Sequence, residues 1–354
     1  MRFIGNKENI IEKIYTVLKS NGVEGKTFFD FFSGTTSVAR FYKNLGYTVG
    51  SSDVMYLSYC LQKAYIENNE EPCFKHILPL ISKVLHTEEL FSTPLETVVS
   101  YLNQIPGTQG FIYKNYTPHG TKNLAQPRMY FSDENGKKID AIRQKIEQWR
   151  KEKLLTESEY FILISCLIET VSFYANVAGV YAAFHKKWDP RATKSLILRT
   201  IKLSNNRKKN IVFHGNSIDL LPLIDVDILY LDPPYNNRQY LPNYHIIETI
   251  AKYDFPEIKG VTGMREYSSE KSTFCNTKTA LRDLEKILKH ARYKYVVMSY
   301  NSEGIMTKES ILKLMGEFGS VKLEEFQYTR FKSNNNGLSK TTKHVNEQIY
   351  ILKK

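Results

Sequence analysis

Asp232-Pro233-Pro234-Tyr235 follows directly on the apolar run Val226-Asp227-Ile228-Leu229-Tyr230-Leu231. The residue before a proline is held extended, so a stiff turn ends a buried strand and presents a carboxylate and an aromatic ring together. That pairing suits work on an exocyclic amine. The Asp232 carboxylate can accept one hydrogen bond from the amine and the Pro233 carbonyl a second, while the Tyr235 ring offers a face on which a base can stack. Two acceptors draw the nitrogen toward sp3 and aim its lone pair at a methyl donor. The plain alternative is a proline-marked turn after a strand, and the rest of the chain must decide between the two.

Asp30-Phe31-Phe32-Ser33-Gly34-Thr35-Thr36 is a second candidate. It lacks the three glycines of a dinucleotide fingerprint, so it suits a ligand without phosphates, such as S-adenosylmethionine, with the methionine part over the Gly34 backbone. Asp53 follows Asp30 at close to the ~20-residue spacing at which a second-strand acid grips ribose hydroxyls. Cations and aromatics interleave at Lys114, Tyr116, His119, Lys122, Arg128 and Tyr130, in a stretch read as a flexible loop. Such a mixture can contact phosphates and stack on bases. Lys186, Lys187, Arg191, Lys194 and Arg199 form a second basic cluster suited to phosphate contact, and Arg238 stands beside the Asp-Pro-Pro-Tyr turn. Glu169 and Asn176 are two turns apart and read as a buried hydrogen-bonding pair on one helix face. No metal-ligand pattern and no Ser-His-Asp or Cys-His arrangement is suggested, so no metal is expected.

These residues need a scaffold that brings strand ends and loops together. Thr27 to Phe32, then Val38, Ala39, Phe41, Tyr42 and Leu45 at helical spacing, then Gly46 to Asp53, read as strand, tight loop, helix and second strand. A second block reads as a strand at Ile211–His214, a turn at Gly215-Asn216-Ser217, a short helix at Ile218–Leu223 and the strand that delivers Asp232. A helix from about Lys278 to His290, a strand at Tyr295–Ser299, and two runs, Val321–Tyr328 and Glu347–Leu352, pairing around the Asn-rich loop Ser333–Gly337, complete it. Between the blocks lie a Gly/Pro/Asn-rich loop, a charged helix around Asp140–Lys151 and an apolar helix over Glu157–Phe184. The expected fold is α/β, a Rossmann-like sheet with an inserted, mainly helical domain. Residues 1–94 and 201–354 form its two parts and residues 95–200 the insertion, an added binding surface.

The 354 residues carry 49 Lys+Arg against 37 Asp+Glu, a net charge of +12, which favours a polyanionic partner. Cys60, Cys73, Cys166 and Cys275 are scattered without a Cys-x-x-Cys pair, so a zinc site and a disulfide framework are not expected and a reducing cytoplasm fits. The N-terminal residues lack a signal-peptide core, and Tyr160–Phe184 is interrupted by Glu169 and Asn176, so secretion and a membrane span are not expected.

Taken together, Arg2-Phe3-Ile4-Gly5-Asn6-Lys7, Asp30 to Ala39, Asp53, and Asp232-Pro233-Pro234-Tyr235-Asn236-x-Arg238-Gln239-Tyr240 resemble, in kind and order, the Dam-like class of adenine-N6 DNA methyltransferases. The extension through Asn243-Tyr244-His245, Glu248 and Thr249, with the late Ser299-Tyr300-Asn301-Ser302-Glu303-Gly304, is similar to a restriction-modification subgroup. The resemblance implies that 95–200 is a target-recognition insertion. It implies that Gly5 and Lys7 hold the carboxylate of S-adenosylmethionine, Asp30, Phe32, Ser33, Gly34 and Thr36 its methionine end, and Asp53 its ribose. Asn216, with Ser217, falls where many relatives carry an acid for the cofactor adenine, and its amide oxygen can accept the same bond. Catalysis is then expected at Asp232, Pro233, Pro234 and Tyr235 on a base flipped from double-stranded DNA, with contacts from Lys114, Arg128, Tyr130, Lys186, Lys187, Arg191 and Arg238. A cognate restriction endonuclease is an expected counterpart, without stable contact. Cytosine N4 and RNA remain open as substrates, because the same turn serves any exocyclic amine.

Overall fold

The computed structural model describes residues 3–82, 93–329 and 344–354. In chain order its elements are α1 (Ile11–Ser20), β1 (Thr27–Asp30), α2 (Ser37–Asn44), β2 (Thr48–Asp53), α3 (Tyr56–Gln62), α4 (Leu78–Ile81), α5 (Pro94–Gln104), α6 (Phe111–Tyr116), α7 (Asp133–Lys151) and α8 (Glu157–Tyr174). They continue with β3 (Ile211–His214), β4 (Asp225–Leu231), α9 (Leu241–Lys252), β5 (Ile258–Lys259), β6 (Met264–Arg265), α10 (Ala280–His290), β7 (Arg292–Asn301), α11 (Lys308–Gly316), β8 (Ser320–Thr329) and β9 (His344–Lys353). The chain divides into two compact units, one of residues 3–69, 204–241 and 267–354, the other of 70–203 and 242–266.

The first unit is built on a sheet of order β3-β2-β1-β4-β7-β9-β8. The first five strands are parallel neighbours, and β9 runs antiparallel to both β7 and β8. Parallel strands covered on both faces need near-continuous apolar sequence, and Phe28-Phe29 of β1, Ile228–Leu231 of β4 and Val296–Met298 of β7 supply it, all buried. On one face Leu284, Ile287 and Leu288 of α10 and Ile311 and Met315 of α11 pack against Leu229, Leu231, Val296 and Met298. On another, Tyr42 of α2 stacks on Phe28 with ring centroids 3.7 Å apart. The expected α/β Rossmann-like sheet is therefore present, and its parallel strands all end along one edge.

The second unit is mainly helical. α7 begins at Asp133, ahead of the expected Asp140, because the Ser132 side chain caps it by accepting from the Asn135 N–H. α8 starts on a capping box of Thr156 and Glu159. It ends at Tyr174, short of the expected Phe184. The reason lies in Asn176, whose amide donates to the carbonyls of Met129 and His185 and accepts from the Asp189 N–H, and in Gly179, which turns at φ +110. Asn176 thus lies beyond the helix, and the expected shared face with Glu169 does not exist. Lys114 and Tyr116, read as loop residues, sit on α6. Arg143, buried in α7, is satisfied by the carbonyls of Ile250 and Ala251, the Tyr160 hydroxyl and Glu147. Among the described residues no helix is long and apolar enough to cross a membrane. The Ser333–Gly337 loop lies outside the described residues.

Candidate active site

Register places the chemistry. Asp30 closes β1 opposite Tyr230 of β4, and Asp53 closes β2 opposite His214 of β3. Asp232 is thus delivered one step past the β4 end, beside Asp30, at the carboxyl edge where ligands bind in open α/β sheets. A cavity of about 1140 Å³, its mouth included, opens there, wholly within the sheet-bearing unit. Gly5, Lys7, Asp30, Phe32, Ser33, Gly34, Asp53, Asn216, Asp232 and Pro234 all line it.

The loop after β1 is held open by backbone geometry. Gly34 has φ +49, and a Cβ there would come within 3.1 Å of the Phe3 ring, so any side chain would strain the backbone and press on Phe3. Its N–H donates to Oδ2 of Asp53 at 2.8 Å, while Oδ1 of Asp53 accepts from the Met55 N–H at 2.9 Å. Asp53 therefore ties the loop to the end of β2. Thr36, fully buried at φ +62, turns the chain into α2, a left-handed conformation that a β-branched residue adopts only under constraint. Asn216 caps the short helix Ser217–Leu223 by accepting from the Ile218 N–H.

Two polar atoms in the cavity wall, Oδ1 of Asp30 and the Ser33 hydroxyl, are buried without a hydrogen-bond partner. Oδ2 of Asp30 accepts from the Ala39 N–H at 3.2 Å. Burial first, and then the nearby Asp232 charge, push the Asp30 carboxyl well above its usual range. A buried carboxyl oxygen without a partner is costly to the fold, and in a pocket it is a suitable partner for a cationic ligand.

Two lysines among the described residues, Lys7 and Lys271, line the cavity, and Lys7 is the one paired with Asp232. Its ammonium is 3.0 Å from Oδ1 of Asp232 and 3.2 Å from Oε1 of Glu347; Lys7 and Glu347 are buried, and Lys7 and the partly exposed Asp232 line the cavity. Burial nevertheless outweighs the Lys7 attraction, Glu347 adds repulsion, and the Asp232 carboxyl is pushed up to about 6. Pro233 is buried behind it, and the carbonyl of half-buried Tyr235 accepts from the Ile305 N–H at 3.0 Å.

A further wall was not marked by sequence patterns. Residues 269–274 line the cavity. They are held by Gln239, whose side-chain amide donates to the Ser272 carbonyl at 3.0 Å and accepts the Ser272 N–H at 2.8 Å, and the Cys275 thiol donates to the Arg238 carbonyl. Glu347 was likewise missed, an acid at the head of an otherwise apolar run.

The basic residues are distributed differently. Lys114, Lys186 and Lys187 are exposed in the helical unit, and Arg238 is exposed in the sheet-bearing unit. Arg191 is paired with Asp189. Arg128 is buried, with its guanidinium donating to the carbonyls of Asn115, Gly260 and Val261, so that it grips the β5–β6 hairpin; Tyr130 is fully buried and donates to the Tyr181 carbonyl.

Comparison with known proteins agrees with this geometry. A family model described as D12 class N6 adenine-specific DNA methyltransferase matches residues 3–314. The Type II methyltransferase M.FokI of Planomicrobium okeanokoites is 37% identical, covering 100% of this chain and 53% of M.FokI. Modification methylase StsI of Streptococcus sanguinis is 35% identical, over 99% of this chain and 51% of StsI. The chain thus spans about half the length of these two curated relatives. The Type II methyltransferase M.NlaIII of Neisseria lactamica is 35% identical over 94% of this chain and 93% of its own length. With a family model spanning most of its residues and a relative aligned nearly end to end, this chain belongs to the D12 class N6 adenine-specific DNA methyltransferase family.

Proposed function

We propose that this chain methylates N6 of adenine at a specific short sequence in double-stranded DNA, using S-adenosylmethionine, as the modification partner of a restriction endonuclease in the cytoplasm. The observation that carries the reading is the delivery of Asp232 by β4 into the cavity that also holds the Asp30–Gly34 loop, with Lys7 at one carboxylate oxygen. The unpartnered Asp30 Oδ1 and Ser33 hydroxyl suit the ammonium and carboxylate of the cofactor's methionine end, and Asp53 and Asn216 offer acceptors to its nucleoside. When bound, the cofactor supplies an electrophilic methyl group on sulfonium sulfur.

The residues of the chain then do the rest. Flipping the adenine costs a few kcal/mol, offset by stacking on Tyr235 and by hydrogen bonds in the pocket. Asp232 and the Pro233 carbonyl accept the two amine hydrogens and direct the nitrogen lone pair outward. As the N–C bond forms and the S–C bond breaks, the amine becomes acidic and sheds one proton. Asp232, pushed up to about 6, is placed to take that proton and release it to solvent. Lys114, Lys186, Lys187 and Arg238 are exposed for phosphate contact, while Arg128 and Tyr130 stiffen the surface that carries recognition.

The test is modification-sensitive sequencing of genomic DNA from a methylation-free host expressing this chain, beside an Asp232→Ala control. N6-methyladenine at one short motif, absent in the control, is expected. Methylated cytosine instead, or no modified DNA base despite soluble, cofactor-binding protein, would overturn the adenine reading and direct attention to cytosine N4 or RNA.

A further inference from the structure

Glu347 has no part in the reaction as described, yet it is only 1% exposed and lies in the same cluster. It reaches the reaction centre because β9 is antiparallel: its beginning, not its end, lies on the edge where β4 and β7 finish. There Glu347 stands opposite Asn301 of β7, accepts the Ser299 hydroxyl, and shares the Lys7 ammonium with Asp232. The match to the family model ends at residue 314, so Glu347 lies beyond it. A second buried carboxylate is expensive, and one acid would suffice merely to satisfy Lys7.

We propose that Glu347 is a positioning residue of the methyl-transfer centre: by drawing on the Lys7 ammonium it fixes that group at Oδ1 of Asp232 while leaving the Asp232 carboxylate free enough to accept the substrate amine. The inference rests on the reading of Asp232 as amine acceptor. The groups facing Asp232 are Lys7 from the N-terminal segment, Glu347 from β9, Asp30 from β1 and Tyr230 from its own strand. After burial, Lys7 and Glu347 are the leading influences on Asp232, and they act in opposite directions. Were Glu347 neutral, Lys7 would commit wholly to Asp232, giving a more acidic carboxyl and a weaker acceptor.

The test uses the full chain with and without substrates. Glu347→Gln keeps the shape and the bond from Ser299. The Asp232 carboxyl is titrated by NMR in ligand-free protein carrying carbonyl-labelled aspartate, assigned with Asp232→Asn, and kcat and KM are measured on duplex DNA. In Glu347→Gln the Asp232 titration should fall by about one pH unit. The acid limb of kcat should follow, and kcat near neutrality should drop about tenfold with KM for DNA changed less than about twofold. Ser299→Ala, which frees Glu347 to compete harder for Lys7, should move the Asp232 titration upward. If neither variant moves it, or both move it the same way, Glu347 is a structural residue and the proposal fails. If the titrations move as expected but wild-type protein methylates no nucleic acid, the coupling stands and the methyltransferase reading is what falls.

Discussion

Lys7 and Asp232 meet as an ion pair, Nζ to Oδ1 at 3.0 Å, and the pair still leaves Asp232 above the ordinary carboxylate range, at about 6. The native carboxyl therefore holds its proton more tightly than the unfolded one. Stability from this group is highest at acid pH and is lost as pH rises from about 4, the unfolded value, through about 6. The Asp232 carboxylate is therefore a cost to the fold at neutral pH.

Asp232→Asn should accordingly raise stability near pH 7.5 by on the order of 1–3 kcal/mol, and by little at pH 4. Methyl transfer should fall at least about a thousandfold while cofactor binding is largely kept. Thermal melts at the two pH values, with a methyl-transfer assay, check both. Equal melting shifts at pH 4 and 7.5 would contradict the origin assigned to the gain.

Asp30 is also held high, mainly by burial and then by Asp232. A cationic ligand beside it favours the ionised form, so S-adenosylmethionine binding should release protons and tighten as pH rises. Calorimetry in two buffers of different ionisation heat measures the release. Asp30→Asn should abolish it and weaken binding about tenfold; identical heats for wild type in both buffers would remove Asp30 from the cofactor site.

Gln239 clasps the cavity wall at Ser272 through both ends of its amide. Gln239→Ala should loosen residues 269–274, raising KM for substrate about fivefold to tenfold, with a smaller effect on global stability, about 1 kcal/mol. Hydrogen exchange at 269–274 reports the loosening directly. Unchanged exchange there would show that the clasp is not what holds the wall.

Lys186 and Lys187 are exposed and adjacent. Their double replacement by alanine should weaken DNA binding at low salt and reduce the slope of log K against log salt by about 1 to 2. Titrations at several salt concentrations decide it; an unaltered slope takes both lysines out of the interface.

Asn176→Ala should destabilise the helical unit by about 2–4 kcal/mol, because three backbone groups that this buried amide satisfies would lose their partner. Chemical denaturation measures the loss, and a change below about 0.5 kcal/mol would mean that the surrounding backbone re-pairs without it.

The Asp232 turn and the Asp30–Gly34 loop could be picked out in the chain because the features that mark them are local. Asp232-Pro233-Pro234-Tyr235 announces a strand end through proline stiffness, and the apolar runs ahead of Asp30 and Asp232 are long enough to specify buried parallel strands. Gly34 could be picked out for the same reason, since a residue without Cβ turns there without strain and without pressing on Phe3. What local pattern could not decide was partnership across the sheet. Glu347 looks like the polar start of a C-terminal strand until antiparallel pairing carries it to the edge where Asp232 sits, and Gln239 looks like one more turn residue until Ser272 comes within reach of its amide. Arg128 reads as a surface cation, yet three carbonyls supplied by separated segments bury it. The length of α8 also escaped, because Asn176 stops it through bonds to Met129, His185 and Asp189 that no helical periodicity contains. Which groups could do chemistry, and which strands would carry them, thus followed from local pattern, since proline geometry, glycine freedom and apolar periodicity act over a few residues. Which charges share Lys7 and which loop lines the cavity along with Asp30 emerged from the folded chain, because those depend on strand direction and long-range packing that bring distant residues within hydrogen-bond distance.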